Sequence, residues 1–272
     1  MTQDISKMPA GDSDSRASTR PIVFVGAGPG DPELITVKGQ KALMQADLIV
    51  YSGSLVPEAV LQWTRPEAET VNSAPLHLEQ IIERLHGAWQ QGKRVVRLHT
   101  GDPSLYSAMV EQIQELARYQ IPYQVIPGVT AAFAAAAGMQ FVYTLPEVTQ
   151  TLILTRMPGR TPVPEQEHLR SLARHQCSLA IYLSITLVRE VAAILAENYG
   201  PEALCVVASQ VSQPEERFFC IPLKDLVATV HANQIRRQTL IIVSKTLAFA
   251  AGRSVSAKSK LYAADFSHEY RK

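Results

Sequence analysis

Most of the features that would fix a fold or a chemistry at once are missing from this chain. Its 272 residues include three cysteines, Cys177, Cys205 and Cys220. An odd number without zinc-type spacing argues against a disulfide framework or zinc ribbon, and points to reduced core thiols in a cytoplasmic protein. Histidine, cysteine and aspartate nowhere cluster at ligand spacing, so no metal site is expected. No apolar run approaches the ~20 residues needed to span a bilayer. The first 20 residues, GDSDSRAST among them, lack the apolar stretch of a signal peptide and read as a disordered polar tail. Charge of one sign is lacking too. Lys and Arg number 26 against 25 Asp and Glu, a formal net +1, which speaks against wholesale binding to nucleic acid or to a membrane surface. No fixed-period repeat appears. What is present is a 46% hydrophobic, 19% charged composition, that of a globular protein long enough for two domains.

The most informative segment is VFVGAGPGDPELITVKG, Val23 to Gly39. A buried strand breaks at Gly26, Gly28 and Gly30 into a helix expected to open near Asp31 and Pro32, with Asp31 as N-cap. Glycines let the backbone turn sharply and approach a ligand closely. The turn departs from a dinucleotide fingerprint, because Asp31 stands where the last glycine belongs. A carboxylate there already occupies the helix N-terminus that a pyrophosphate would use. The next strand, Leu48 to Tyr51, ends in Ser52-Gly53-Ser54 with no acid for a ribose. A P-loop is absent as well.

Strand and helix patterns alternate, which predicts an α/β fold with a largely parallel sheet. In the first half, strands are expected at 48–51, 94–99 and 123–126, and helices at 78–91, 104–119 and 131–137. The helix at 131–137 is nearly all alanine, suited to close packing against a neighbour or a flat ligand. A composition shift near Gln140 to Thr149 marks a boundary, giving a tail at 1–20, domains at 21–143 and 144–250, and a polar tail at 251–272. The second half is expected to hold strands at 151–155, 179–183, 204–208 and 239–243, a helix at 187–199, and a hairpin through 217–221.

Three strand ends in the first half carry glycine turns: GAGPG at 26–30, TGDP at 100–103 and PGVTA at 127–131. Ligands of open parallel sheets sit at such carboxyl ends. One common cleft is therefore expected, with backbone N–H groups, the Asp102 carboxylate and the Thr130 hydroxyl as polar handles. Asp102 suits an ammonium or sulfonium ligand, and it also reads as an N-cap ahead of Pro103.

These segments, VGAGPGDPELITVKG, GDP and PGVTA, resemble the signatures of the tetrapyrrole methylases, which use S-adenosylmethionine. The resemblance runs from about Ile22 to Lys245. YSGSLVP at 51–57, LPEVTQTLILTR at 145–156 and GRTPVPE at 159–165 are similar to the branch that methylates precorrin-4 or cobalt-precorrin-4 at C11 in cobalamin biosynthesis. It implies two α/β domains, usually in a homodimer, with the cofactor in the cleft between them. By matching position it implies cofactor contacts at Pro29, Gly101, Asp102, Leu105, Thr130, Ala131, Leu183 and Val211. Family members acting on uroporphyrinogen have an aspartate and a lysine proposed for proton handling. The matching positions here are Ser52 and Ser73, which counts against that reaction.

The implied substrate carries several acetate and propionate groups, so cations are expected beside it. Arg156 and Arg160 flank a loop at a strand end, and Lys38 and Arg97 are further candidates. His99, just before the TGDP turn, is the candidate base, with a structural histidine as its alternative. Other functions stay open: a methylase of the same fold acting on another tetrapyrrole, on RNA or on a diphthamide precursor, or a non-catalytic sensor of S-adenosylmethionine or a tetrapyrrole.

Overall fold

Among the described residues, aliphatic and β-branched runs bounded by glycine and proline turns build ten strands, divided between two five-stranded sheets. The structure is a computed structural model that describes residues 20–250, 252, 266, 267 and 269. The two expected tails therefore lie almost wholly outside the described residues.

The first sheet contains β1 (Ile22–Gly26), β2 (Leu48–Tyr51), β3 (Glu69–Asn72), β4 (Val95–His99) and β5 (Tyr123–Ile126), in the order β3-β2-β4-β1-β5. Every pairing is parallel. Strands β2 and β4 are buried along their whole length, as strands covered on both faces must be. Helix α1 (Val37–Gln45) covers one face, where Leu43 packs with Ile49, Val96 and Leu98. Helices α2 (Leu78–Gln90) and α3 (Met109–Arg118) cover the other, burying Ile82, Leu85 and Leu116 against Phe24, Leu48 and Val50.

The second sheet is built around helix α4 (Ala131–Gly138) on one side and α5 (Leu169–Ala173), α6 (Val188–Tyr199) and α7 (Leu226–Ala232) on the other. Its strands are β6 (Leu152–Arg156), β7 (Ser178–Tyr182), β8 (Leu204–Ser209), β9 (Arg217–Pro222) and β10 (Thr239–Val243), in the order β6-β7-β10-β8-β9. A short helix, α8 (Leu247–Ala250), follows. Although α4 precedes the boundary read from composition, its Ala132, Ala134 and Ala135 pack on Ala180, Val206, Ala208 and Ile242 of this second sheet.

Several expectations change. The second sheet is mixed, because only β6 and β7 pair in parallel while β7–β10, β10–β8 and β8–β9 are antiparallel. The link 210–216 between β8 and β9 is too short for the crossover that parallel neighbours require. Asp31 and Pro32 open only a 3-10 turn, Pro32–Leu34, after which Ile35 is extended and Thr36 caps the true helix by accepting from the Gly39 N–H at 3.1 Å. The helix expected from Ser104 begins at Met109, because Tyr106 and Ala108 adopt left-handed backbone, φ +54° and +50°. Strand β3 went unread, since ETVN lies on a sheet edge and is mostly exposed. Cys177 and Cys205 are buried, but Cys220 on edge strand β9 is exposed. Among the described residues no helix is long and apolar enough to cross a membrane.

Neighbouring strands β4, β1 and β5 end in the three glycine turns, so the sheet order brings those turns together. Gly28 and Gly101 exchange backbone hydrogen bonds of 3.2 and 2.8 Å. A Cβ on Gly26 would sit 2.6 Å from the Gly101 oxygen, and one on Gly128 only 2.1 Å from it. These two glycines serve backbone-to-backbone approach rather than approach to a ligand. Gly128→Ala is expected to lower the unfolding free energy by about 2–3 kcal/mol through overpacking. Gly87→Ala, on α2 with nothing within 4 Å, should raise it by about 0.5–1 kcal/mol. Urea unfolding of both variants checks the contrast, and equal midpoints would remove the close-approach constraint.

Candidate functional site

The three turns form one wall of a cleft of about 350 Å³, whose other wall comes from the second sheet. Pro29 enters from the first turn, Gly101, Asp102 and Leu105 from the second, and Thr130 and Ala131 from the third. Leu183, after β7, and Val211, after β8, face them. All eight positions named from the sequence for the cofactor thus line a single cavity. Gly101 has φ +58°, a conformation that suits glycine. Leu183 is also left-handed, φ +51°, and remains 64% exposed.

Asp102 ties two turns together. One carboxylate oxygen accepts from the N–H and the hydroxyl of Ser104, and the other accepts from the Gly128 N–H at 2.9 Å. Burial pushes the carboxyl up, but the Ser104 and Gly128 hydrogen bonds outweigh it and leave its pKa below the ordinary value. Asp102 therefore stays ionised, lines the cleft and shapes its floor.

Tyr182, at the end of β7, was not anticipated. Its hydroxyl lies 2.7 Å from Thr130 Oγ1 and accepts from the Ala132 N–H at 3.1 Å. A side chain of the second sheet thereby caps the amino end of α4 and fixes Thr130 at the cleft. Two further ties cross the same gap. The Asp31 N–H donates to Ser212 Oγ at 3.0 Å, and Gln213 packs so closely on Gly30 that a Cβ there would meet its Cγ at 2.4 Å.

None of the four cations named from the sequence lines the cleft. Arg97 is only 4% exposed, with Nε donating to Gln112 Oε1 at 2.8 Å and Nη1 to the Val50 carbonyl at 3.0 Å. Burial draws its guanidinium down to about 10, still protonated at neutral pH. It stabilises the sheet interior and is out of reach of a substrate. Arg156 spends its guanidinium on the carbonyls of Met157, Thr161 and Pro162, which folds its own loop. Arg160 and Lys38 are exposed outside the cleft. The cations that do line it are Arg236 and Arg237, exposed and in no ion pair among the described residues. The Arg236-Arg237 pair, one residue ahead of TLIIV, was a visible signal. It was missed because the rule of carboxyl strand ends assumes parallel strands, whereas β10 is antiparallel and offers its amino end to the same edge.

His99 is likewise corrected. It is 2% exposed, stacks on Phe24 at 5.8 Å, and does not line the cleft. Its Nε2 is buried with no hydrogen-bond partner. Burial, with the Arg97 charge beside it, draws the imidazole from 6.5 to about 3. Such a group is a neutral packing element, the alternative weighed for it from the sequence. Among the described residues no cluster of His, Cys, Asp and Glu could hold a metal ion.

Comparison with known proteins gives consistent results. Residues 21–227 match the family described as Tetrapyrrole (Corrin/Porphyrin) Methylases. A cobalt-precorrin-4 C(11)-methyltransferase of Methanocaldococcus jannaschii is 48% identical over 256 residues, covering 94% of this chain and 97% of the relative. A precorrin-4 C(11)-methyltransferase of Pseudomonas aeruginosa is 46% identical over 250 residues, covering 92% and 98%. The crystal structure of a cobalt precorrin-4 methyltransferase superposes with a TM-score of 0.82 at 42% identity, covering 86% of this chain and 98% of that one.

Two predictions concern pH and the Asp102 staple. A histidine whose folded pKa lies below its unfolded value contributes full stability above the unfolded pKa and loses it as pH falls. Stability should therefore drain from pH 6.5 toward about 3 as His99 is forced to charge. His99→Gln, uncharged throughout, should flatten that slope in denaturant titrations at stepped pH. Asp102→Asn keeps the shape but turns a donor toward Gly128 or Ser104. It should cost about 1 kcal/mol in unfolding free energy and weaken cofactor binding in calorimetry. Unchanged affinity would free the cleft from dependence on the staple.

Proposed function

The chain belongs to the tetrapyrrole methylases, and from that premise we propose that it transfers a methyl group from S-adenosylmethionine to C11 of precorrin-4 or cobalt-precorrin-4, in cobalamin biosynthesis. The observation that carries the reading is the convergence of Pro29, Gly101, Asp102, Leu105, Thr130, Ala131, Leu183 and Val211 on one cavity. Their chemistry fits the cofactor. Leu105, Leu183 and Val211 offer apolar surface to an adenine, while the Thr130 hydroxyl offers a polar contact.

When bound, S-adenosylmethionine would supply an electrophilic sulfonium methyl, the new C–C bond forming as the S–CH3 bond breaks and a neutral thioether leaves. The protein's tasks are then orientation and exclusion of water. Thr130 is held by Tyr182, and the TGDP and PGVT turns are held by Asp102, so the floor of the cleft is rigid before any ligand arrives. C11 attacks as an enamine-like carbon, so no covalent nucleophile is required of the chain. Arg236 and Arg237 meet the acetates and propionates of the macrocycle, because arginine forks pair with carboxylates. Arg160 is a candidate for a carboxylate that extends beyond the cleft. A cytoplasmic homodimer belongs to the same reading, and the exposed side chains of Phe133 and Val142 support an apolar contact between copies.

Incubation with each macrocycle and S-adenosylmethionine, followed by mass analysis and NMR, tests the reading. One methyl group gained at C11 is expected. Cofactor binding with unchanged macrocycle would instead favour a sensor, and binding of NAD in place of S-adenosylmethionine would overturn both. Arg237→Ala should raise the macrocycle KM by about two- to fivefold with kcat little changed, as loss of an exposed ion pair of up to about 1 kcal/mol predicts.

A further inference from the structure

Tyr106 combines three properties that the cofactor site does not explain. It lines the cleft yet stays 44% exposed. Its backbone is left-handed, φ +54°, and Ala108 two residues on is left-handed as well, φ +50°. Such a conformation is costly for an aromatic residue, and paired outliers of this kind gather at ligand clamps. Its hydroxyl has no hydrogen-bond partner among the described residues, so nothing there ties the ring down by its edge. The left-handed backbone sets the direction in which the ring projects.

The ring is aimed across the cleft. Its centroid lies 5.6 Å from that of Tyr182, inclined by 56°. Tyr182 is itself immobilised through Thr130 and the Ala132 N–H, so Tyr106 leans on a fixed support. The Ser107 hydroxyl donates to the Pro103 carbonyl and closes the loop behind it. Outward, Tyr106 feels the charges of Arg156, at the end of β6, and Glu167, in the segment beyond it, both outside the cavity. Tyr106 thus stands at the boundary between the cleft and that surface. A macrocycle laid over the mouth of the cleft would meet the Tyr106 ring at this boundary.

We propose that Tyr106 is a substrate-positioning residue whose ring face is the platform on which one pyrrole-derived ring of the macrocycle lies. The inference rests on the methylation of a tetrapyrrole proposed above. Aromatic stacking of a flat heterocycle tolerates varied substituents and gives affinity without chemistry. It sets the height of the macrocycle over the cleft, while arginines at the rim set its rotation.

The test compares Tyr106→Asn with Tyr106→Phe in the full chain. Asparagine tolerates left-handed backbone, so it removes the ring without adding strain. Steady-state kinetics with precorrin-4 and cobalt-precorrin-4 are run beside calorimetric titration with S-adenosylhomocysteine and thermal melts. Tyr106→Asn is expected to raise the macrocycle KM about tenfold, the scale of one lost stacking contact, with the S-adenosylhomocysteine Kd within about twofold. Tyr106→Phe, which keeps the ring, should restore KM to within about twofold of wild type. An active wild type with an unchanged KM in Tyr106→Asn overturns the inference alone. Equal KM rises in both variants assign the effect to the hydroxyl and overturn it. So does a loss of S-adenosylhomocysteine affinity matching the KM rise, which would place the ring against the cofactor. A wild-type chain that methylates neither macrocycle removes the functional reading and this inference with it.

Discussion

The structure depends on three backbone turns touching one another. Where β1, β4 and β5 end, the peptide of Gly101 lies against Gly26 and Gly128 at distances that no side chain would allow. Backbone groups at that separation satisfy one another directly, as Gly28 and Gly101 do. The Asp102 carboxylate completes the arrangement by accepting from Gly128. Remove the close approach and the turns separate, taking Pro29, Gly101 and Thr130 out of register with one another. The cleft is thus defined by what glycine lacks.

A second requirement is that the two sheets keep a fixed separation. Alanines of α4 permit the helix to lie close on Ala180, Val206 and Ala208, so the connection out of the first sheet is packed into the core of the second. Single hydrogen bonds contribute only about 1 kcal/mol net. The ties from Tyr182 to Thr130 and from Asp31 to Ser212 therefore serve orientation more than stability. Apolar burial around α4 holds the halves together, and the polar ties decide how they face.

The legible part of the sequence was the part governed by local rules. Buried aliphatic runs gave away the central strands, and glycine turns marked their ends, so the meeting of three turns could be foreseen from periodicity and the parallel-sheet rule. The eight cofactor positions came from family resemblance, since spacing alone does not distinguish Leu183 or Val211 from core. Tertiary context hid the rest. Arg97 looks like any surface arginine until the sheet buries it beside Gln112, and β3 carries too little hydrophobic signal to announce an edge strand. Pro32 and Ser104 are plausible helix starts, yet extended backbone at Ile35 and left-handed backbone at Tyr106 and Ala108 postpone both helices. Arg236 and Arg237 were overlooked because strand direction in the second sheet is set by pairing, which a single strand does not reveal.

These successes and failures follow from the chemistry itself. Methyl transfer from a sulfonium needs no charged nucleophile and releases a neutral group, so a reactive side chain is not the natural signature of such a site. Consistent with that, the ionisable groups nearest the turns are committed elsewhere: Asp102 to backbone and Ser104, Arg97 to the sheet, His99 neutral against Phe24. A search for a general base by residue type alone was bound to settle on His99, the histidine next to the turn, and to find a packing residue. What selection can act on in this reaction is distance and angle. Those are encoded by glycines that permit contact, by a tyrosine hydroxyl that caps a helix, and by strained residues that aim rings across a gap. The functional signature here is conformational, and it is strongest where the backbone departs from what ordinary side chains tolerate.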